Sequence, residues 1–300
     1  MNSFLANYNM KKKSVSIILI VQIFIILAVT VQIYNKKKDV MGVSVNPITK
    51  NEIISSPSGE LKDFYESRVG VTVKDLSYLG KDYNYTVTYK INKDTLNQLK
   101  DYPVEKEKGV VRIITLGASF TFGANVNTED NYPMQLQKML DAKCRDEKKY
   151  EVFNLGMGGY DLEYSVERLK VRGMKFEPDL VIWLITDDNF RTIKNISEDT
   201  LEKFSDEVLV NMQKERIKDS FSIYGGKLVL VGSRNVAWQH KNLLKRITII
   251  RPDTYLFFDI PNIYKKKAFF PDKHPNEKGY KLIAESIFDY LKNEKIIQCN

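Results

Sequence analysis

The sequence predicts an α/β domain: a three-layer α/β/α sandwich built on a five-stranded parallel sheet, preceded by one transmembrane helix. Three observations carry this. From residue 110 onward, short apolar runs alternate with helical stretches. Those runs are apolar throughout rather than at every second position, as strands covered on both faces are. Near the N-terminus stands a separate uncharged run of about twenty residues, long enough to cross a bilayer core as a helix.

That run is "SVSIILIVQIFIILAVTVQIYN", residues 14–35, clamped between the triplets Lys11 to Lys13 and Lys36 to Lys38. A cleaved signal peptide has a shorter apolar region and a small-residue cleavage site, of which "AVT" at Ala28 to Thr30 is a poor version. The reading is an uncleaved signal anchor with residues 1–13 as a cytoplasmic tail. This makes a single-pass membrane protein with its domain on the extracytoplasmic side. Both flanks are basic, so charge alone does not orient the helix. Residues 36–81 follow as a stalk or linker of irregular structure. Within them "DVMGVSVNPITKNEIISSPSGE", residues 39–60, is polar and carries Pro, Ser and Gly without a sustained period.

The catalytic-type domain is expected over 82–296. "YNYTVTYKI", residues 83–91, alternates and is rich in β-branched and aromatic residues, so it predicts a strand. The five sheet strands are "VVRIITL" (110–116), "YEVFNL" (150–155), "DLVIWLI" (179–185), "KLVLVGS" (227–233) and "TYLFFDI" (254–260). Helical stretches are expected between and after them, over 128–140, 161–174, 197–221, 235–247 and 276–294. The first places Tyr132, Leu136, Met139 and Leu140 on one side, and the last aligns Ile283, Ile287 and Leu291. Strands and helices in alternation give a parallel sheet between helix layers. Ligands of such sheets sit beyond the carboxyl ends of the strands.

The totals bound the function. The formal charge is +8, but the first forty residues hold +5 of it, which leaves +3 for the rest. A folded part so nearly balanced gives little electrostatic reason to expect nucleic acid as a partner. The two cysteines, Cys144 and Cys299, have no C-x-x-C spacing, so neither a metal site nor redox chemistry is indicated. "NLGMGGYD", residues 154–161, could be read as a dinucleotide fingerprint. Asp161 occupies its third glycine position and no acidic ribose-binding residue follows a next strand, so no cofactor is expected.

Ser119 lies just past the first sheet strand, in "RIITLGASFTFG". A tight turn needs glycine but no hydroxyl. A serine hydroxyl becomes a nucleophile when a base lies within hydrogen-bond reach and a carboxylate orients that base. The chain has two histidines. His240 sits mid-helix among polar neighbours and reads as a surface residue. His274 follows the fifth strand by a loop and precedes the last helix, so it too falls at the carboxyl edge. Asp272, one residue removed, can reach one imidazole nitrogen while the other faces the cleft.

Taken together, these blocks resemble the SGNH hydrolases, also called the GDSL esterase/lipase family, over roughly residues 82–294. "LGASFTFG" is similar to the family's strand followed by Gly-Asp-Ser, and "PDKHPNEKGY" to its closing Asp and His before a helix. The resemblance implies a flavodoxin-like SGNH sandwich. It makes Ser119 the nucleophile, His274 the base and then acid, and Asp272 its orienter. It also implies an oxyanion hole built from Ser119, Gly159 and Asn189. Two positions depart from the pattern. Ala118 replaces the family Asp. The family Asn at the end of the third strand falls on Asp187 or Asp188, with Asn189 one or two positions late. An ionised Asp has no N–H to give an oxyanion, so either Asn189 takes the role or one donor is missing.

The activity implied is hydrolysis of an ester-linked acyl group on a glycan, lipid or small molecule, without metal or cofactor. Transfer of that group to another hydroxyl uses the same residues. A non-catalytic binding domain with an impaired oxyanion hole is the remaining alternative. The fold also bears on the cysteines. First and last helices on one face, both antiparallel to the strands, end on the same side. That brings Cys144 and Cys299 towards bonding distance, with a disulfide in an exported domain; two unrelated thiols is the other reading. The run "NIYKKKAFFPDKH", residues 262–274, reads as a solvated loop or as a rim for an anionic or lipid-like substrate.

Overall fold

A computed structural model describes residues 55–57, 65–144, 148–186, 189, 224–232, 245, 253–257, 260 and 267–299. The chain divides into two units, Met1–Asn51 and Glu52–Asn300, and the described residues fall in the second. The expected span 14–35, the helical stretch 197–221, the stretch 235–247 apart from Lys245, and Asp187, Asp188 and His240 all lie outside the described residues. Among the described residues, no helix is long and apolar enough to cross a membrane.

All five predicted sheet strands form. They are β5 (Val110–Gly117), β6 (Lys149–Asn154), β7 (Leu180–Ile185), β8 (Lys227–Gly232) and β9 (Thr254–Phe257). Their order across the sheet is β6-β5-β7-β8-β9 and every pairing is parallel. β5 lies between β6 and β7, so the chain leaves it in one direction and returns on its other side. That reversal opens a crevice at the carboxyl end of β5.

Burial on both faces explains the continuous apolar runs. On one face Ile113, Val152, Ile182, Leu184, Val229 and Val231 form a cluster with helix residues Tyr132, Leu136, Leu140, Ile283, Ile287 and Leu291. On the other, Ile114, Leu116, Phe153, Val181, Trp183, Leu228 and Leu230 pack with Leu162, Val166, Leu169 and Phe176. Each fully buried Val, Leu or Ile contributes about 1.5–3 kcal/mol from water exclusion, so these alternating sets hold the three layers together.

Four α-helices are described. α1 (Ser119–Phe122) follows β5 at once. α2 (Tyr132–Lys143) starts at Asn131, whose side chain accepts from the Met134 N–H (2.9 Å), with a proline in its first turn. α3 (Leu162–Arg168) starts at Asp161, whose carboxylate accepts from the Tyr164 N–H (2.9 Å). The sequence predicts one helix to residue 174. The α-helix instead ends at Arg168 and widens into a π-turn, Leu169–Gly173, then a tight turn, Met174–Phe176. Close packing accompanies the change: a Cβ on Gly173 would come within 2.8 Å of Ile114 and Leu169 side chains. α4 (Glu277–Asn293) buries Tyr280, Ile283, Ala284, Ile287, Phe288 and Leu291 along one stripe.

The expected stalk runs too far. Residues 65–81 are folded onto the domain. β1 (Ser55–Pro57) pairs antiparallel with β2 (Tyr65–Ser67), and β3 (Gly70–Asp75) pairs antiparallel with β4 (Thr86–Ile91) from Gly70↔Ile91 to Asp75↔Thr86. The attachment is polar and so carries no hydrophobic period. Glu66 is buried between Arg168, whose Nη1 donates to it (2.6 Å), and Arg172, whose Nη2 donates to its other oxygen (2.7 Å).

Arg112 stands inside the apolar run of β5 and is fully buried. All five of its guanidinium N–H groups find acceptors. Nε donates to Glu151 (2.9 Å), Nη1 to the carbonyls of Val104 and Phe176, and Nη2 to those of Pro103 and Glu105. Glu151→Leu leaves this charge without its counter-ion. It should lower the free energy of unfolding by about 3–5 kcal/mol in urea titrations followed by fluorescence.

α2 and α4 share a face of the sheet, and Cys144 and Cys299 at their ends form a disulfide with a Cα–Cα separation of 4.5 Å. Such a cross-link over 155 residues constrains the unfolded chain. Intact mass should rise by two hydrogens on reduction, and Cys144→Ser should cost about 2–4 kcal/mol. An unchanged mass would rule the bond out.

Candidate active site

β5 ends on a backbone that only glycine tolerates. Gly117 has φ +148°, and a Cβ there would lie 2.7 Å from the Leu184 carbonyl of β7. The chain therefore turns sharply at the crevice and enters α1 with Ser119 as its first residue. The N–H groups of a first helical turn have no partner within the helix, so the Ser119 N–H is placed to donate outward.

His274 arrives on a tight loop. Phe269 and Pro275 pair across it, the Phe270 N–H donates to the His274 carbonyl (2.8 Å), and the Asn276 N–H to that of Ala268 (3.0 Å). The Asn276 side chain then accepts from the Gly279 N–H (3.1 Å) and starts α4. The imidazole is thus held between a hairpin and a helix start. Its ring lies 5.7 Å from that of Phe120.

These two elements bring Ser119 and His274 together across 155 residues. His274 Nε2 is 3.0 Å from Ser119 Oγ, and Nδ1 is 2.9 Å from Asp272 Oδ2. The backbone N–H of His274 donates to Asp272 Oδ1 (3.1 Å). Partial burial pushes the Asp272 carboxyl up. The His274 hydrogen bond and charge, the His274 N–H and the Asn125 amide outweigh it and hold the carboxyl below its ordinary value. An ionised carboxylate only accepts, so Nδ1 carries the proton and Nε2 accepts from the serine hydroxyl. About a quarter of each of the His274 and Asp272 side chains is exposed, so solvent reaches the site.

Gly159 occupies the third position of a β-turn in which the Tyr160 N–H donates to the Met157 carbonyl (3.2 Å). Its φ of +75° is the one such a turn requires there. Tyr65, from the segment expected to be stalk, covers this turn. Its hydroxyl donates to the Gly158 carbonyl (2.5 Å), and its own carbonyl accepts from Tyr160 Oη (2.6 Å). Burial pushes the Tyr65 phenol up to about 12, so it remains a donor at neutral pH.

Asn189 is buried. Its Oδ1 accepts from the N–H (2.7 Å) and hydroxyl of Thr186, and its Nδ2 donates to the Tyr160 carbonyl (3.0 Å). It therefore ties the end of β7 to the Gly159 turn, and its Nδ2 carries a second N–H. Of the basic loop 262–274, the part from Lys267 onward is described, and it forms the hairpin that carries His274.

Several residues at this edge were not singled out from the sequence. Asn154 donates to the carbonyls of Asn97 and Phe122 and accepts from the Gly156 N–H. Asn97 donates to the Phe122 carbonyl (2.8 Å). Asn125 contacts Asp272 itself, with Nδ2 donating to Oδ2 (2.7 Å). The available signal was an excess of asparagine around the serine turn.

No family model and no curated protein matches the chain. Solved structures do. A two-domain esterase active on acetylated mannans is 20% identical, with 63% of this chain and 50% of that one covered and a TM-score of 0.43. This chain thus spans about half the length of that protein. The psychrotrophic esterase EstA from Pseudoalteromonas sp. is 18% identical over 62% of this chain and 99% of that one, TM-score 0.47. A lipase/acylhydrolase from Enterococcus faecalis is 16% identical over 61% and 96%, TM-score 0.47. Its own strand order, with the serine, glycine and histidine blocks following the carboxyl ends of the strands, gives this chain the fold of the SGNH hydrolases.

Proposed function

We propose that the chain is a serine esterase of the SGNH type that cleaves an ester-linked acyl group through a Ser119 acyl-enzyme. One observation carries the reading: the unbroken run of hydrogen bonds from Ser119 Oγ to His274 and from His274 to Asp272, at 3.0 and 2.9 Å. His274 Nε2 takes the hydroxyl proton as Oγ attacks the acyl carbon. It then returns that proton to the departing alkoxide. Water repeats the sequence and frees the acid. The Ser119 and Gly159 N–H groups, and the second N–H of Asn189, are the donors offered to the oxyanion.

The acyl carrier is a glycan, lipid or small ester. The apolar, lysine-flanked run 14–35 supports a membrane anchor that keeps the domain outside the cytoplasm, beside envelope glycans or lipids. A disulfide between Cys144 and Cys299 agrees with an oxidising compartment.

Labelling of the full-length chain by a fluorophosphonate tests the reading. Ser119→Ala and His274→Ala should take no label, and Asp272→Asn should label about 10³–10⁴-fold more slowly. Label on the Ser119→Ala chain would refute it. Turnover of an activated acetate ester then addresses the oxyanion hole. Asn189→Ala should lose about 10²–10³ in kcat if its amide is a donor, and an unchanged kcat would remove it from that role.

A further inference from the structure

The segment upstream of the expected domain reaches the reaction centre. Lys74 on β3 and Tyr78 just after it both donate to Asn125 Oδ1, at 2.9 and 2.8 Å. Asn125 is fully buried, and its Nδ2 donates to Asp272 Oδ2 at 2.7 Å. Its backbone is pinned as well. The N–H donates to Tyr89 Oη (2.8 Å), and the preceding carbonyl of Ala124 accepts from Tyr280 Oη (3.1 Å). Asn125 has φ +67°, a conformation that Asn tolerates better than most residues.

The chemistry fixes which way the amide faces. An ammonium can only donate, so it must meet Oδ1, and Nδ2 is then turned to the carboxylate. Asp272 thereby receives three donors: Asn125 Nδ2 and His274 Nδ1 on Oδ2, and the His274 backbone N–H on Oδ1. Two donors fill the lone pairs of Oδ2 and set the plane of the carboxylate. That plane sets the direction of the imidazole, whose Nε2 must point at Ser119.

We infer that Asn125, oriented by Lys74 and Tyr78, is a positioning residue that holds Asp272 in the geometry the Ser119–His274 pair needs. The upstream hairpin is then part of the catalytic apparatus rather than a tether. The inference rests on the function proposed above, and its test separates the two.

The full-length chain is compared with Asn125→Gly, which keeps the positive φ and removes the amide, and with Lys74→Met. The readings are the rate of fluorophosphonate labelling, the downfield Nδ1–H proton resonance of His274, and near-ultraviolet circular dichroism for the fold. The chain has two histidines, so the absence of that resonance from His274→Ala assigns it.

In Asn125→Gly, labelling should slow about 10- to 100-fold with the dichroism unchanged, and the resonance should broaden or vanish. Lys74→Met should move both readings the same way, by less. A parental labelling rate with the resonance intact in Asn125→Gly overturns the inference. If that variant loses its native dichroism, a parental rate and resonance in Lys74→Met overturn it instead. If the parent chain itself takes no label, the proposed function falls, and the resonance alone decides whether Asn125 positions the pair.

Discussion

A parallel sheet buried on both faces offers few places for a cluster of polar side chains. Its strands are apolar throughout and its faces are covered by helices, so reactive groups collect at the edge where the strands end. Here that edge is opened by one backbone constraint. Gly117 leaves β5 at φ +148° with no room for a Cβ beside the Leu184 carbonyl. The turn it permits sets Ser119 at the start of α1, facing the loop that brings His274. Without that turn the strand would continue past the crevice and the hydroxyl would have no base.

The site is held by a framework of buried amides rather than by its apolar core. Asn97, Asn125, Asn154 and Asn189 are all nearly or fully buried, and each ties loop backbone or a reactive side chain at the carboxyl edge to another segment. Each also leaves a cost if broken, because a buried polar group without its partner loses the hydration it gave up. That asymmetry favours one arrangement of the loops over neighbouring ones. Arg112 does the same work at the opposite end of β5, where one guanidinium gathers the 103–105 loop, Phe176 and Glu151.

The segment before the sheet domain is fastened by the same means. Glu66 lies between two arginines of the α3 region, Tyr65 lies over the Gly159 turn, and Lys74 reaches Asn125. β3 itself has no fully buried residue, and Val71 and Val73 are exposed. The hairpin therefore rests on its partner strand β4, which buries Val87, Tyr89 and Ile91, and on these polar ties.

Local pattern determined what depends on burial by period. The five sheet strands, α2 and α4 were legible because each must hide an apolar face, and the repeat of that face is written directly in the residues. Ser119, His274 and Asp272 were legible because a nucleophile, a base and an orienter are few among residue types and the chain has two histidines. The extent of the folded unit was not legible. Tyr65, Glu66 and Lys74 are attached by hydrogen bonds and ion pairs, which have no period and whose partners lie 51 to 102 residues away. The roles of Asn125 and Asn154 were hidden for the same reason. An amide in a loop looks like any turn residue until the tertiary structure decides which donor and which acceptor it stands between.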